Sequence, residues 1–133
     1  MNFITKNGKT KKVFAHKYFI DWQKPSRSKL QKKVKDLLYL IWRGHSVYEE
    51  FPVAGSRSTL DFYNSTLGVA IEVQGKQHTK HIPHFHGKKL IKFMGQLKRD
   101  RDKEEFCELN DIRLIEIMEG DDITLDYLRN KLS

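Results

Sequence analysis

Two short segments carry acidic and amide side chains where apolar ones would be expected: TLDFY (Thr59–Tyr63) and AIEVQGKQH (Ala70–His78). Both begin like buried β-strands, yet Asp61 sits inside the first, and Glu72 and Gln74 inside the second. Polar groups on a core strand are costly unless something uses them. Strand side chains alternate faces, so Ala70, Glu72 and Gln74 share one face and Val69, Ile71 and Val73 the other. If the two strands pair through NSTL (Asn64–Leu67), Asp61 and Glu72 meet on one face. Two adjacent carboxylates repel, which raises one pKa, and a divalent cation between them removes that cost. All-oxygen donors favour Mg²⁺, with Mn²⁺ as a substitute. The same two acids also fit the solvent face of an open hairpin.

A second polar set recurs at helical spacing. Gln96, Asp100, Lys103 and Cys107 follow one another at four, three and four residues and form one stripe. The stripe runs alongside an apolar one (Leu90, Phe93, Met94, Leu97, then Phe106 and Leu109) that should face inward. Lys103 can steady charge that develops on a phosphate or orient a water. Asp100 can hold a water or fix Lys103; Gln74 and Gln96 can position water or phosphate. An Asp–Lys surface pair is the plainer alternative, worth a few tenths of a kcal/mol. His78, just past Gly75, is placed to act as a general acid or base. The run HTKHIPHFH also invites a zinc reading, but zinc clusters bring cysteines or a helical H-x-x-x-H, and Cys107 is the one thiol.

These groups need elements to hold them. Asn7-Gly8 predicts a type I′ turn in a basic hairpin or arm over Phe3–Ile20. Ser28 with Gln31 fits a capping box that opens a helix carrying Leu30, Val34, Leu37, Leu38 and Ile41, ended by Gly44. Three strands follow, Val47–Val53, Thr59–Tyr63 and Gly68–Gln74. A His-rich loop (Lys76–Lys89) leads into a long helix from about Lys88 to Leu109. Ile112–Ile117 is a fourth strand, and Thr124 caps a short last helix. The order predicts one α/β domain over 1–133: a basic arm (1–27), a core (28–118) and a C-terminal helix (119–133).

Composition narrows the partner. The chain has 133 residues and a net charge of +8. Met1–Ser46 holds twelve Lys/Arg against two Asp/Glu, whereas Val47–Ser133 holds thirteen against fifteen. Positive charge gathered at one end of a small domain points to a polyanion, nucleic acid before membrane. Lys9, Lys11, Lys12, Lys17 and Lys80 are the expected phosphate contacts. Phe14, Tyr18, Phe19 and Trp22 either stack on bases or anchor the arm in the core, the second being expected of most of them. No apolar run approaches a membrane span, and the N-terminal residues lack the apolar stretch of a secretory signal. The expected setting is the cytoplasm.

The segment Tyr48–Ile117 resembles the PD-(D/E)XK nuclease superfamily, in particular its branch similar to very-short-patch-repair and small phage-type endonucleases. TLDFY, AIEVQGKQH, FHGKKLIKFMGQLKRDRDKEEFCELN and IRLIEI carry the resemblance. It implies a restriction-endonuclease-like core (α-β-β-β-α-β) with a small mixed sheet flanked by helices. It also implies a Mg²⁺-dependent endonuclease that hydrolyses DNA phosphodiesters with a metal-activated water. By resemblance Asp61 and Glu72 are metal ligands, with the Val73 carbonyl an extra one, and His78 takes a repair-type catalytic role. A bacterial or phage-infected cell is the implied setting. Two departures stand out. Gln74 occupies the family's lysine position, for which Lys103 is the replacement. Gln31 stands where a first-helix Glu is common, and reads as a helix cap only. Glu50 is the candidate for that missing carboxylate, although by alternation only one of Glu49 and Glu50 can face the site. One site per chain means that double-strand cutting needs a homodimer or two visits. The alternative reading is a non-catalytic nucleic-acid-binding protein on the same fold.

Overall fold

A computed structural model describes residues 1–74 and 87–133. The expected His-rich loop, with His78 and Lys80, lies largely outside the described residues, and both of those side chains do. The chain forms β1 (Asn2–Ile4), β2 (Thr10–Lys12), a 3₁₀ turn (Ala15–Tyr18), α1 (Lys29–Trp42), β3 (Val47–Pro52), β4 (Thr59–Asn64), β5 (Val69–Gln74), α2 (Lys88–Leu109), β6 (Arg113–Met118) and α3 (Leu125–Leu132). The main sheet is mixed, ordered β3-β4-β5-β6. β3–β4 and β4–β5 are antiparallel, and β5–β6 is parallel. A parallel pair needs a long crossover, and α2 supplies it.

Both faces of the sheet are covered, which explains why its strands read as nearly continuous apolar runs. On one face Val34, Leu38 and Trp42 of α1 and Leu128 of α3 pack on Phe62, Val69, Ile71 and Ile117. On the other, Phe106 and Cys107 of α2, with Phe3 and Val13 of the N-terminal hairpin, cover Tyr48, Phe51, Leu60, Tyr63 and Ala70. The hairpin is thereby a lid over the second face, its Phe3 ring meeting those of Phe51, Tyr63 and Phe106.

Several sequence expectations shift. The Asn7-Gly8 turn is not type I′, because Gly8 (φ +77°) takes a left-handed conformation and Asn7 does not. Gly8 N–H donates to Thr5 C=O and Thr5 N–H to Lys9 C=O, giving a longer loop that closes on a left-handed glycine. α1 stops at Trp42 without a left-handed Gly44. On α2, Met94 and Leu97 are exposed rather than inward, and only Phe106 and Cys107 are buried. Phe14 and Phe19 are likewise exposed, not core anchors, while Tyr18 and Trp22 are partly buried.

Candidate active site

The ladder between β4 and β5 runs through Asn64↔Val69, Tyr63↔Ala70 and Phe62↔Ile71, then stops. The next step would pair Asp61 with Glu72. Instead side chains take over the backbone's partners: Val73 N–H donates to Asp61 Oδ2 (2.7 Å), and Asp61 N–H donates to Glu72 Oε2 (3.3 Å). The β3–β4 ladder also skips a step here. Glu49 pairs with Phe62 and Phe51 with Leu60, but Glu50 and Asp61 between them do not pair. Glu50 adopts φ +53°, an uncommon left-handed conformation for a residue with a side chain. The sheet therefore opens on both sides of Asp61, and this opening lets two carboxylates sit between strands.

Asp61 and Glu72 are 7% and 3% exposed. Glu72 lies on the face of Ala70, toward α2, and Lys103 of α2 brings its ammonium to 2.5 Å from Glu72 Oε1. That oxygen is fully buried, and the contact is a buried ion pair. Burial, and then the neighbouring Asp61 carboxylate, push Glu72 up to about 8. Burial also raises Asp61, and its bonds to Glu72 and the Val73 amide oppose that only in part. Without a metal the pair thus holds a proton between them near neutral pH.

The two acids form the floor of a cleft of about 300 Å³. Gln74, Gln96 and Lys103 line it, together with Arg27, Arg57 and Arg99. Asp100 is not in the wall; it accepts a bond from Gln96 Nε2 (3.0 Å), whose Oε1 accepts from Arg99 (3.0 Å). Asp100 therefore orients Gln96 rather than reaching the floor. Burial, reinforced by Glu72, pushes the Cys107 thiol up to about 12, so it packs in the core and is not a nucleophile. Glu116 is the register partner of Glu72 on β6 but does not line the cleft.

Gln31 is more than a cap. Its N–H donates to Ser28 Oγ (3.1 Å), as a cap requires. Its buried side chain turns instead to β3, donating to Glu49 Oε2 and Glu50 Oε1 (3.0 Å each). Glu49 also pairs with the fully buried Lys35 (2.8 Å) and Glu50 with Arg27. Neither Glu49 nor Glu50 lines the cleft of Asp61 and Glu72; the left-handed Glu50 breaks the strand's alternation, and both acids turn to Gln31 and the neighbouring hollow. Arg27, Arg57 and Arg99 escaped the sequence reading. They lie on three separate elements, and nothing in their spacing joins them. Of the expected phosphate contacts, Lys9, Lys11, Lys12 and Lys17 are exposed on the N-terminal arm.

The donors present fit a hard divalent cation. Asp61 and Glu72 offer two carboxylates, and the buried Glu72 Oε1 is met by the Lys103 ammonium. Among the described residues no three His, Cys, Asp or Glu side chains cluster as a ready cage. Mg²⁺ needs none, since it characteristically takes one or two carboxylates and keeps waters or phosphate oxygens in its other positions. The histidines that invite a zinc reading (His78, His81, His84 and His86) lie outside the described residues.

The chain is 40% identical over 73 residues to the uncharacterized protein 307L of Invertebrate iridescent virus 6, covering 55% of this chain and 36% of that protein. It is 36% identical over 66 residues to the uncharacterized protein 033L of Invertebrate iridescent virus 3, covering 50% and 34%. It is 33% identical over 100 residues to the uncharacterized protein 094L of Frog virus 3, covering 71% and 64%. The chain thus spans about a third of the length of the first two relatives and less than two thirds of the third. No family model matches it. No solved structure matches it either. Among the described residues no helix is long and apolar enough to cross a membrane.

Proposed function

We propose that this chain is a divalent-metal-dependent DNA endonuclease of the PD-(D/E)XK type, acting in the cytoplasm of a virus-infected cell. One observation carries the reading. Asp61 and Glu72 are buried on neighbouring strands at an opening of the sheet, and the Lys103 ammonium lies 2.5 Å from Glu72 Oε1. The order α1-β3-β4-β5-α2-β6 supports a restriction-endonuclease-like core, and the viral relatives support the setting.

Asp61 and Glu72 would hold Mg²⁺ or Mn²⁺, with the Val73 carbonyl as a neighbouring donor. When bound, the ion supplies an activated water and neutralises charge on the scissile phosphate. The chain's own residues do the rest. Lys103, which lies against Glu72 in the metal-free chain, would turn to a phosphate oxygen, where charge develops, if a cation took over that carboxylate. That role belongs to the family's lysine, which Gln74 replaces here. Gln96, held by Asp100 and Arg99, presents an amide to water or phosphate. Arg27, Arg57 and Arg99 offset the phosphates that flank the cut. A second copy would be needed to cut both strands at once.

Plasmid nicking in Mn²⁺ against EDTA tests this. The wild-type chain nicks only with metal. Asp61→Asn loses nicking but keeps DNA binding, and Lys103→Met nicks at least about 100-fold more slowly. Nicking retained by Asp61→Asn would overturn the assignment. Binding without nicking in the wild-type chain would favour the non-catalytic alternative.

A further inference from the structure

The cleft does not end at the acidic pair. Arg27 and Thr59 line it and also line a second, larger hollow of about 510 Å³, whose far wall is Lys17, Tyr18 and Phe19. Lys17 and Tyr18 in turn border a third hollow, of about 230 Å³, which includes Lys11, Lys12 and Phe14. The three are thus joined in series through shared side chains. Two aromatic rings stand along this path with much of their surface in solvent, Phe14 at 54% and Phe19 at 56% exposed. Phe19 stacks one side on Tyr48 (centroids 4.9 Å apart, 21° between planes), which fixes the ring and leaves its other side outward. Lys12 and Lys17 lie 5.3 and 5.6 Å from the Phe14 centroid. Phe14 therefore has two cations at its ring, and Phe19 shares its hollow with Lys17 and Lys24.

The acids in the second hollow do not spoil the path for a polyanion. Glu49 is matched by Lys35, Gln31 and Ser26. Glu50 is matched by Arg27, Gln31 and Thr59. What remains directed outward is mainly Lys11, Lys12, Lys17 and Lys24, with Asp21 the opposing charge.

We propose that these joined hollows form a track for single-stranded DNA, with bases stacking on Phe19 and then Phe14 while the lysines meet the phosphates. The inference deepens the nuclease reading by naming a substrate class, an unpaired strand leading to the cut. It rests on that reading for the cutting, not for the binding. A duplex offers its phosphates to such a surface but keeps its base faces covered; only an unpaired strand can use both the rings and the cations. A purely electrostatic surface has no need of fixed, exposed phenylalanines.

The test is fluorescence anisotropy of the full chain in EDTA, with labelled oligo(dT), blunt duplex DNA and oligo(U) as probes. Wild-type protein binds oligo(dT) more tightly than the duplex. Phe19→Ala weakens oligo(dT) binding by roughly 5- to 100-fold, the range base–ring stacking supplies, and changes duplex binding less than about twofold. Phe19→Trp restores it, and its indole fluorescence is quenched on binding. Unchanged oligo(dT) binding in Phe19→Ala with unchanged melting temperature overturns the track, as does an equal loss on both DNA probes. Preference for oligo(U) overturns the DNA assignment. Because the assay involves no cleavage, a correct track with no nicking refutes only the nuclease reading, and nicking without stacking refutes only the track.

Discussion

Replacing Glu72 by glutamine should make the metal-free protein more stable at pH 8 than the wild-type chain, although it deletes a charge paired with a lysine. The reason lies in the proton that the native pair retains. Glu72 rises from an ordinary 4.5 to about 8 on folding. Below pH 4.5 it is protonated folded or unfolded and contributes no penalty. Between 4.5 and 8 the folded chain keeps a proton that the unfolded chain has released, so stability falls as pH rises. Above about 8 the full penalty is in place. The displacement is worth at most about 5 kcal/mol, at about 1.4 kcal/mol per unit. Since Asp61 and Glu72 titrate as a pair, one substitution recovers a part of it, on the order of 2 kcal/mol. Glutamine has the shape of the protonated acid: its carbonyl can accept from Lys103 and its amide N–H₂ can donate to the Asp61 carboxylate, at the cost of the long bond (3.3 Å) from Asp61 N–H to Glu72 Oε2. For a domain of 133 residues the gain is about 6–10 °C in melting temperature. Thermal unfolding of both chains in EDTA from pH 5 to 9 measures it. The difference should be small at pH 5, grow through pH 7 and level off above pH 8. A variant less stable than wild type at pH 8, or a difference independent of pH, would refute the idea that the acids are buried in mutual repulsion.

The same logic governs metal. Mg²⁺ must displace the shared proton, so its stabilisation of the wild-type chain should grow from pH 6 to 8 and be absent in Asp61→Asn, as melting curves at fixed Mg²⁺ will show. Lys35 is fully buried against Glu49; Lys35→Met should cost about 3 kcal/mol in urea unfolding because Glu49 is left without its cation, and Lys35→Met with Glu49→Gln should recover part of that. Binding of duplex DNA should weaken steeply with salt, and removing Lys12 and Lys17 together should lower the slope of log K against log salt by up to about 2.

Much of the scaffold is legible in the sequence because its signals are local. Ser28 caps α1 and Thr124 caps α3, each through its hydroxyl, and alternation alone puts Glu72 on the face of Ala70. That Asp61 and Glu72 lie opposite one another follows from the short NSTL connection, although the ladder breaks before they pair. What stayed hidden depends on residues distant in sequence. The left-handed Glu50 has no marker such as glycine, so the break opposite Asp61 and the joint capture of Glu49 and Glu50 by Gln31 could not be read. The exposure of Met94 and Leu97 is a tertiary fact that helical periodicity does not contain. Arg27, Arg57 and Arg99 converge only once three elements are folded together.

The most direct measurement is a crystal soaked in Mn²⁺ and examined at a wavelength where manganese scatters anomalously. One peak within coordination distance of both the Asp61 and Glu72 carboxylates, with the Lys103 ammonium displaced from Glu72 Oε1, is the expected result. An ordered crystal with no peak at those carboxylates, and Lys103 still paired to Glu72 at saturating Mn²⁺, would contradict the account.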